Sequence, residues 1–446
     1  MPALSPSESD LQLYRRPVEL LQRLIRFDTT NPPGNEAECI AFINSLLAGA
    51  GIATKIVAKT PKRPNLVARL PGRGKAPPLL LYGHVDVVTT ANQQWTHPPF
   101  DGVLADGFVW GRGALDMKGG VAMMLSAFLR AKFEGLSLPG DVVLALLSDE
   151  EAGGTFGAKF LVEEHAELFR DVRYAIGEFG GFTLHIGGKR FYPIQVAEKQ
   201  ICWLKAAVRG PGGHGSMPVR GGAMAKLARL LRNLDRRPLP VHVPPVARLM
   251  FNSMASELGG VQGGILRLLS YPRFSDAVLK LLGERGRIFA PLLHNTVSPT
   301  VLHASEKINV IPSEVSVELD GRILPGFTPE NLLHELRRIA GAEVEFQVIH
   351  FDPGPQEPDL GMFGLLGDIL READPGAAPV PLLLSGVTDA RFFSRLGIQT
   401  YGFTPMRLQE DFNFLRTVHA ADERIPASAV EFGTEAIFQL LQRFGS

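Results

Sequence analysis

The tightest constraint on this chain is a set of short, near-continuous apolar runs at 65–70, 79–88 and 142–147. A strand with one wet face alternates apolar and polar side chains, whereas a run without alternation must be covered on both faces. Helical stripes surround these runs. Leu20, Leu21, Leu24 and Ile25 form one, and Ile40, Ile43, Leu46 and Leu47 form a second that ends at Gly49 and Gly51. Val121, Met124, Leu125 and Phe128 form a third, between the last two runs. Helix and short run in alternation predict an α/β layer, a mostly parallel sheet covered by helices.

Near residue 197 the pattern changes. The run 201–208 leads through GPGGHGSMP into a helix carrying Met224, Leu227, Leu230, Leu231 and Leu234. Val315, Val317, Leu319 and Ile323 then alternate with Ser316, Glu318, Asp320 and Arg322, as on a half-exposed strand. A helix over 329–339 and an alternating strand at Val344, Phe346 and Val348 complete a small α+β unit. The simplest organisation is one α/β domain, 1–196 plus 354–446, interrupted by an inserted domain, 197–353. An apolar, glycine-punctuated stretch at about 242–300 lies within the insert.

Composition excludes some partners. The 446 residues carry 46 basic and 46 acidic side chains, so there is no basic footprint for nucleic acid. The start, MPALSPSESD, has no basic region followed by an apolar stretch, and no run approaches the roughly 20 apolar residues of a membrane span. The expectation is a cytoplasmic protein without membrane association. Cys39 and Cys202 are too few for a disulfide framework and too far apart for a local metal motif, and they read as buried thiols.

Five acidic or imidazole clusters follow apolar runs, where an open α/β sheet places its ligands. They are His84 and Asp86 in LLLYGHVDVV, Asp116 in GRGALDMKGG, Glu150 and Glu151 in LALLSDEEAGG, Glu178 in YAIGEFGG, and His419 in TVHAADERIP. Each alone has a structural alternative: a strand-end hydrogen bond for His-x-Asp, a helix cap for Asp116, a solvated turn for Glu-Glu. In an extended segment His84 and Asp86 project to one side, so the carboxylate can reach the imidazole nitrogen that faces away from a metal. Adjacent Glu150 and Glu151 point differently, so one can bind metal while the other acts as a base. Asp116, with two oxygens, can bridge two cations. Histidine with carboxylate suits zinc, and cobalt or manganese would be accepted by similar sites. H-E-x-x-H and G-x-S-x-G are both absent, which sets aside the helix-borne zinc proteases and the serine hydrolases.

The ordered set GHVD, GRGALDMKGG, SDEEAGG, GGHGSMP, NVIPSEVSVELDGRILPG and the late histidine resembles the M20 metallopeptidase family. These are dinuclear zinc aminoacylases, carboxypeptidases and succinyl-diaminopimelate desuccinylases. The resemblance implies that His84, Asp116 and Glu178 hold one Zn(2+) and that Asp116, Glu151 and His419 hold the other. Glu150 is then the general base and Asp86 orients His84. It makes the insert a lid and dimerisation domain, in which His214 reaches the partner's active site to stabilise the oxyanion. Asn309 and Arg322 resemble residues that bind the substrate carbonyl and free carboxylate, although a solvated strand face also accounts for Arg322. Gly386, Thr388 and Asp389 in LSGVTDARFF resemble a substrate-contacting loop.

The implied protein is a homodimer hydrolysing an amide next to a free carboxylate, in an N-acyl amino acid or short peptide. The stretch between Pro244 and His294 resembles the carboxypeptidase S and N-acyl-amino-acid hydrolase branch, which favours an apolar acyl group. Extra dimer interface or lid core explains that stretch equally well. Two alternatives stay open: a deacylase of a succinyl- or acetyl-diamino acid, and a metal-binding protein without hydrolytic activity.

Overall fold

A computed structural model describes residues 7–355 and 357–445. The chain divides into two compact units. One runs through Val196 and resumes over Asp359–Leu382 and from Thr388 onward; the other comprises Ala197–Pro358 and Leu383–Val387.

The first unit is built on a mixed sheet in the order Thr54–Ala58, Pro64–Leu70, Val142–Leu147, Leu79–His84, Tyr174–Gly177, Gln399–Gly402, Lys189–Glu198, Ala377–Leu384. The four strands from Val142–Leu147 to Gln399–Gly402 run parallel, while their neighbours on either side pair antiparallel. Both apolar runs at the centre, Leu79–His84 and Val142–Leu147, are buried at every residue. Alternate side chains serve opposite faces. Leu80, Tyr82, Val143, Ala145 and Leu147 pack against Phe160, Leu161, Phe169, Phe392 and Phe393. Gly83 faces the other way, where a β-carbon would come within 2.9 Å of Met117 and 3.0 Å of Val121. The helix Lys118–Phe133 that follows Met117 is apolar nearly all round and buried, packed against the helices Pro17–Ile25 and Ala427–Arg443. The fold class is α/β, as the apolar runs require.

The second unit is a four-stranded antiparallel sheet, Thr296–His303, Glu314–Ile323, Gln200–Arg209 and Val344–Asp352 in that order. Its inner face, with Leu204, Val315, Val317 and Leu319, packs on the helices Ala223–Arg236 and Pro329–Ala340 through Leu227, Leu230, Leu332 and Leu336. The outer face is wet, with Trp203 44% exposed. The stretch 242–300 forms three helices, Pro245–Leu258, Gly260–Leu268 and Pro272–Leu282, followed by short 3-10 turns.

This unit extends past residue 353 because Gly354 donates its N–H to Gln200 Oε1, and it takes in 383–387 because the Lys199 N–H bonds the Leu384 carbonyl at 3.0 Å. Cys39 and Cys202 are both buried, and burial pushes each thiol up to about 11. Among the described residues, no helix is long and apolar enough to cross a membrane.

Candidate metal centre

The parallel strands set the height of the site. Register pairs His84 with Leu147 and Leu81 with Ile176, so the carboxyl ends of three neighbouring strands finish at one edge. His84 is the last residue of its strand, Glu150 and Glu151 open a 3-10 turn three residues past Leu147, and Glu178 directly follows Gly177. Asp116 sits in the loop before Lys118–Phe133, and His419 lies between the helix Phe414–Thr417 and the strand Arg424–Pro426.

Two groups of three side chains offer donor atoms within 4.8 Å of one another, and Asp116 belongs to both. In the first, His84 Nε2 lies 3.1 Å from Asp116 Oδ1 and 3.5 Å from Glu178 Oε2. In the second, His419 Nε2 lies 3.0 Å from Asp116 Oδ2 and 3.3 Å from Glu151 Oε1. Asp116 thus turns one oxygen to each group. Glu150 directly precedes Glu151 and has no hydrogen-bonded side-chain partner among the described residues, its N–H held by Asp86 Oδ1 at 3.1 Å.

Asp86 meets His84 Nδ1 through its backbone as well as its side chain. His84 Nδ1 bonds the Asp86 carbonyl oxygen at 3.0 Å, while the nearer carboxylate oxygen is 3.5 Å away. The strand ends at His84, so the chain no longer keeps the alternation that would aim the Asp86 side chain along the ring. That carboxylate instead accepts from Asn31 Nδ2 at 2.8 Å and from the N–H groups of Glu150 and Glu151 at 3.1 Å each. With Nδ1 on the carbonyl, Nε2 is the ring nitrogen turned toward Asp116 and Glu178.

The electrostatics describe an excess of buried negative charge. Burial and the neighbouring Glu178 push Glu150 well above the usual carboxyl range, and burial raises Glu151 and takes Glu178 to about 8. Burial opposes a charge on His84, but hydrogen bonds to Asp116, Asp86 and Glu178 outweigh it and hold the imidazolium form. Hydrogen bonds to Asp116 and Glu151 raise His419 to about 10. Burial would raise Asp116, yet its bonds to the two imidazoles hold it far below the usual range. Without a cation, protons fill the roles that a cation would fill. Both Asp389 oxygens are shut off from solvent with no hydrogen-bond donor among the described residues, and Glu151 Oε1, equally shut off, faces His419 Nε2 at 3.3 Å. Carboxylates gathered this closely and this deeply are costly unless cations meet them, so the donor set of two imidazoles and three carboxylates fits a pair of divalent ions.

A second layer of charge, unmarked in the sequence reading, surrounds the centre. Asp149, at φ 71°, accepts from Asn31 Nδ2 and Phe156 N and pairs with Arg63 at 2.9 Å; Arg63 also pairs with the buried Glu36. On the other side, fully buried Arg112 donates Nη1 to Glu423 Oε2 at 2.5 Å and Nη2 to Gln93 Oε1 at 2.7 Å. Glu423 Oε1 accepts the N–H groups of Leu115 and Asp116 at 2.8 and 3.2 Å. Arg112 and Gln93 both donate to the His419 carbonyl, at 3.2 and 2.9 Å, and His419 itself adopts φ 63°. One ion pair therefore holds the backbones of Asp116 and His419. The only sequence signal was proximity: Arg112 lies in GRGALD and Glu423 four residues past His419.

The remaining sequence candidates divide between the units. Thr388 and Asp389 belong to the first. Asp389 is buried, which raises it to about 7, and its charge contributes to the upward shifts of Glu150 and Glu178. His214, Asn309, Arg322 and Gly386 belong to the second. There His214 is exposed on a two-residue strand facing Val310, its Nδ1 2.7 Å from Ser216 Oγ, and Gly215 donates its N–H to the Asn309 carbonyl. The Arg322 guanidinium grips Asp320 with two bonds, of 2.9 and 3.1 Å.

Residues 80–443 match the family model described as Peptidase family M20/M25/M40. The N-fatty-acyl-amino acid synthase/hydrolase PM20D1 of Homo sapiens is 30% identical over 382 residues, 82% of this chain and 74% of that protein. Among solved structures, the M20 family metallo-carboxypeptidase Sso-CP2 from Sulfolobus solfataricus superposes with a TM-score of 0.67 at 15% identity, over 96% of this chain and 99% of that one. The Bacillus subtilis YXEP protein, described as a dinuclear metal binding peptidase from the M20 family, gives 0.60 at 16% identity over 96% and 98%. A family match across most of the chain, over a strand-end cluster with the donor chemistry of a metal site, means that the chain belongs to peptidase family M20/M25/M40 and is a metallohydrolase.

Proposed function

We propose that the chain is a dinuclear zinc enzyme hydrolysing the amide bond of an N-acyl amino acid or short peptide next to a free carboxylate. The observation that carries this reading is the division of Asp116, one oxygen toward His84 and Glu178 and the other toward His419 and Glu151, with unpartnered Glu150 beside them. A bound zinc pair supplies a polarised substrate carbonyl and a water acidified toward about pKa 7.

Glu150 accepts the proton of the attacking water and returns it to the leaving amine. Its freedom from structural hydrogen bonds, with its N–H pinned by Asp86, suits a base that must move a proton while its backbone stays fixed. His214 of a second subunit stabilises the oxyanion, Asn309 binds the carbonyl, and Arg322 binds the free carboxylate by exchanging it for Asp320. Gly386, Thr388 and Asp389 complete the substrate contacts. Support for the dimer comes from the strand Thr296–His303, an outer strand of its sheet exposed at six of its eight residues. Two cysteines, buried and unpaired, fit a reducing, cytoplasmic setting.

Zinc rather than cobalt or manganese is the reading because mixed imidazole and carboxylate donors suit it best. The name of the human relative, together with the helical stretch 245–282, supports an apolar acyl group. Glu150→Ala should retain bound metal and lose turnover by at least about 100-fold. The assay is a panel of N-acyl amino acids of rising chain length, with a succinyl-diamino acid included, in zinc and in cobalt. Turnover of Glu150→Ala near the parent rate removes the base assignment. Bound metal without turnover anywhere on the panel removes the hydrolase.

A further inference from the structure

The second unit carries a groove of about 870 Å3, formed between the end of the helix Ala223–Arg236 and the stretch from Pro272–Leu282 to Val297. Its volume lies in the range of small-molecule sites, about 300–1,000 Å3. Leu234, Leu239, Leu279, Ala290 and Val297 supply apolar wall.

The polar groups among them are already occupied. His294 Nδ1 bonds the Leu239 carbonyl and its Nε2 faces Asp276 at 3.4 Å. Asn295 donates to Glu335 and accepts from Leu324 N, and Thr296 Oγ1 accepts from Lys199. A peptide or sugar therefore finds few free donors or acceptors here. Among the described residues, no Phe, Tyr or Trp lines the groove to stack on an aromatic ligand.

The charges on the lining are unevenly matched. Arg287 holds Glu284 at 3.0 Å, which leaves the carboxylate of Asp276, 3.4 Å from His294, against two exposed cations, Arg237 and Lys280, that have no ion-pair partner among the described residues. The apolar interior thus suits an alkyl chain and the rim one negative charge.

We infer that this groove binds a free aliphatic carboxylate, its alkyl chain along the apolar wall and its head group on Arg237 and Lys280. The groove shares no residue with the candidate metal centre and does not rest on the hydrolytic reading, since every lining residue belongs to the second unit.

The test is calorimetric titration of the zinc-loaded full chain with octanoate, decanoate and dodecanoate below their micelle concentrations. Dodecyltrimethylammonium serves as the opposite-charge control. One site per chain is expected, with affinity rising about fourfold per methylene, which is about 0.8 kcal/mol for each buried CH2. The cation should bind at least about tenfold more weakly than dodecanoate, and Arg237→Glu with Lys280→Glu should weaken dodecanoate by about tenfold or more. Both positions are exposed, so these variants keep the fold, and hydrolysis of a short N-acetyl substrate should not change. Ala290→Trp, which fills the groove, should abolish binding. Binding should survive in Glu150→Ala and after zinc is stripped. The inference is overturned by an absence of heat with dodecanoate, by binding indifferent to the charge reversals, or by binding that vanishes with the metal. Charge reversals that change sedimentation of the chain in place of ligand affinity overturn it too, since the groove is then an interface between copies.

Discussion

Replacing Glu423 by Gln tests whether the buried Arg112–Glu423 pair holds the metal centre together. The side chain keeps its shape, so any effect reports charge and hydrogen bonding. Every neighbour of this carboxylate is a donor: Leu115 N and Asp116 N on Oε1, Arg112 Nη1 on Oε2. An amide must therefore turn its NH2 against a donor in either orientation, and Arg112 keeps a charge without its carboxylate. Removing one partner of a buried pair costs about 3–5 kcal/mol, and since one acceptor oxygen remains we expect the lower end, about 3 kcal/mol.

The same change loosens the Asp116 N–H and, through Arg112, the His419 carbonyl, and both residues are candidate ligands of the second group. Losing such outer support weakens metal affinity by about 10–100-fold. Equilibrium urea unfolding of the metal-free chain measures the first quantity, and chelator competition measures the second. Lys55→Gln, which breaks the exposed pair with Glu167, is the control and should stay within about 0.5 kcal/mol with metal affinity unmoved. If Glu423→Gln behaves like this control in both assays, the pair is incidental to the site.

Two other perturbations test separate parts of the account. Lys199 is buried and lowered by that burial to about 7, its Nζ bonded to the His294 carbonyl and Thr296 Oγ1. Its ordinary value is 10.5, so between pH 7 and 10.5 the unfolded chain binds the extra proton and stability rises with pH, by at most about 1.4 kcal/mol per unit. The denaturation midpoint should climb over that window in the parent and lose this slope in Lys199→Met. An unchanged slope in the variant assigns it elsewhere. Gly119→Ala places a β-carbon 2.2 Å from the Ala114 carbonyl oxygen, a backbone atom that cannot step aside, so it should cost about 1–3 kcal/mol and lower zinc retention through the loop carrying Asp116. Stability equal to the parent's in urea contradicts the close approach.

The candidate ligands were legible in the sequence because the signal is local. An apolar run that stops just before Glu150 or Glu178, or that carries His84 within it as 79–88 does, marks a strand and its end, and strand ends of a parallel sheet converge on one edge. Arg112 and Glu423 were illegible for the opposite reason. They lie 311 residues apart, and a charged residue destined for burial looks in sequence like one destined for solvent. Asn31, Arg63 and Asp149 share that condition, since nothing in their flanking sequence names the partner they meet.

Asp86 shows how a correct local pattern can mislead in detail. The His-x-Asp spacing assumes an extended chain, but the strand ends at His84 and the Asp86 carbonyl, at 3.0 Å, lies nearer the ring than its carboxylate, at 3.5 Å. The antiparallel flanks of the main sheet escaped notice because a strand such as Thr54–Ala58, half of it in solvent, lacks an apolar run.

The account turns on Asp116 serving two cations at once. Elemental analysis of zinc-reconstituted, desalted protein tests this most directly, comparing the parent with His84→Ala, His419→Ala and Asp116→Ala. The account predicts two zinc ions per parent chain, one in each histidine variant, and neither retained in Asp116→Ala. A parent that binds a single ion, or an Asp116→Ala chain that keeps two, contradicts it.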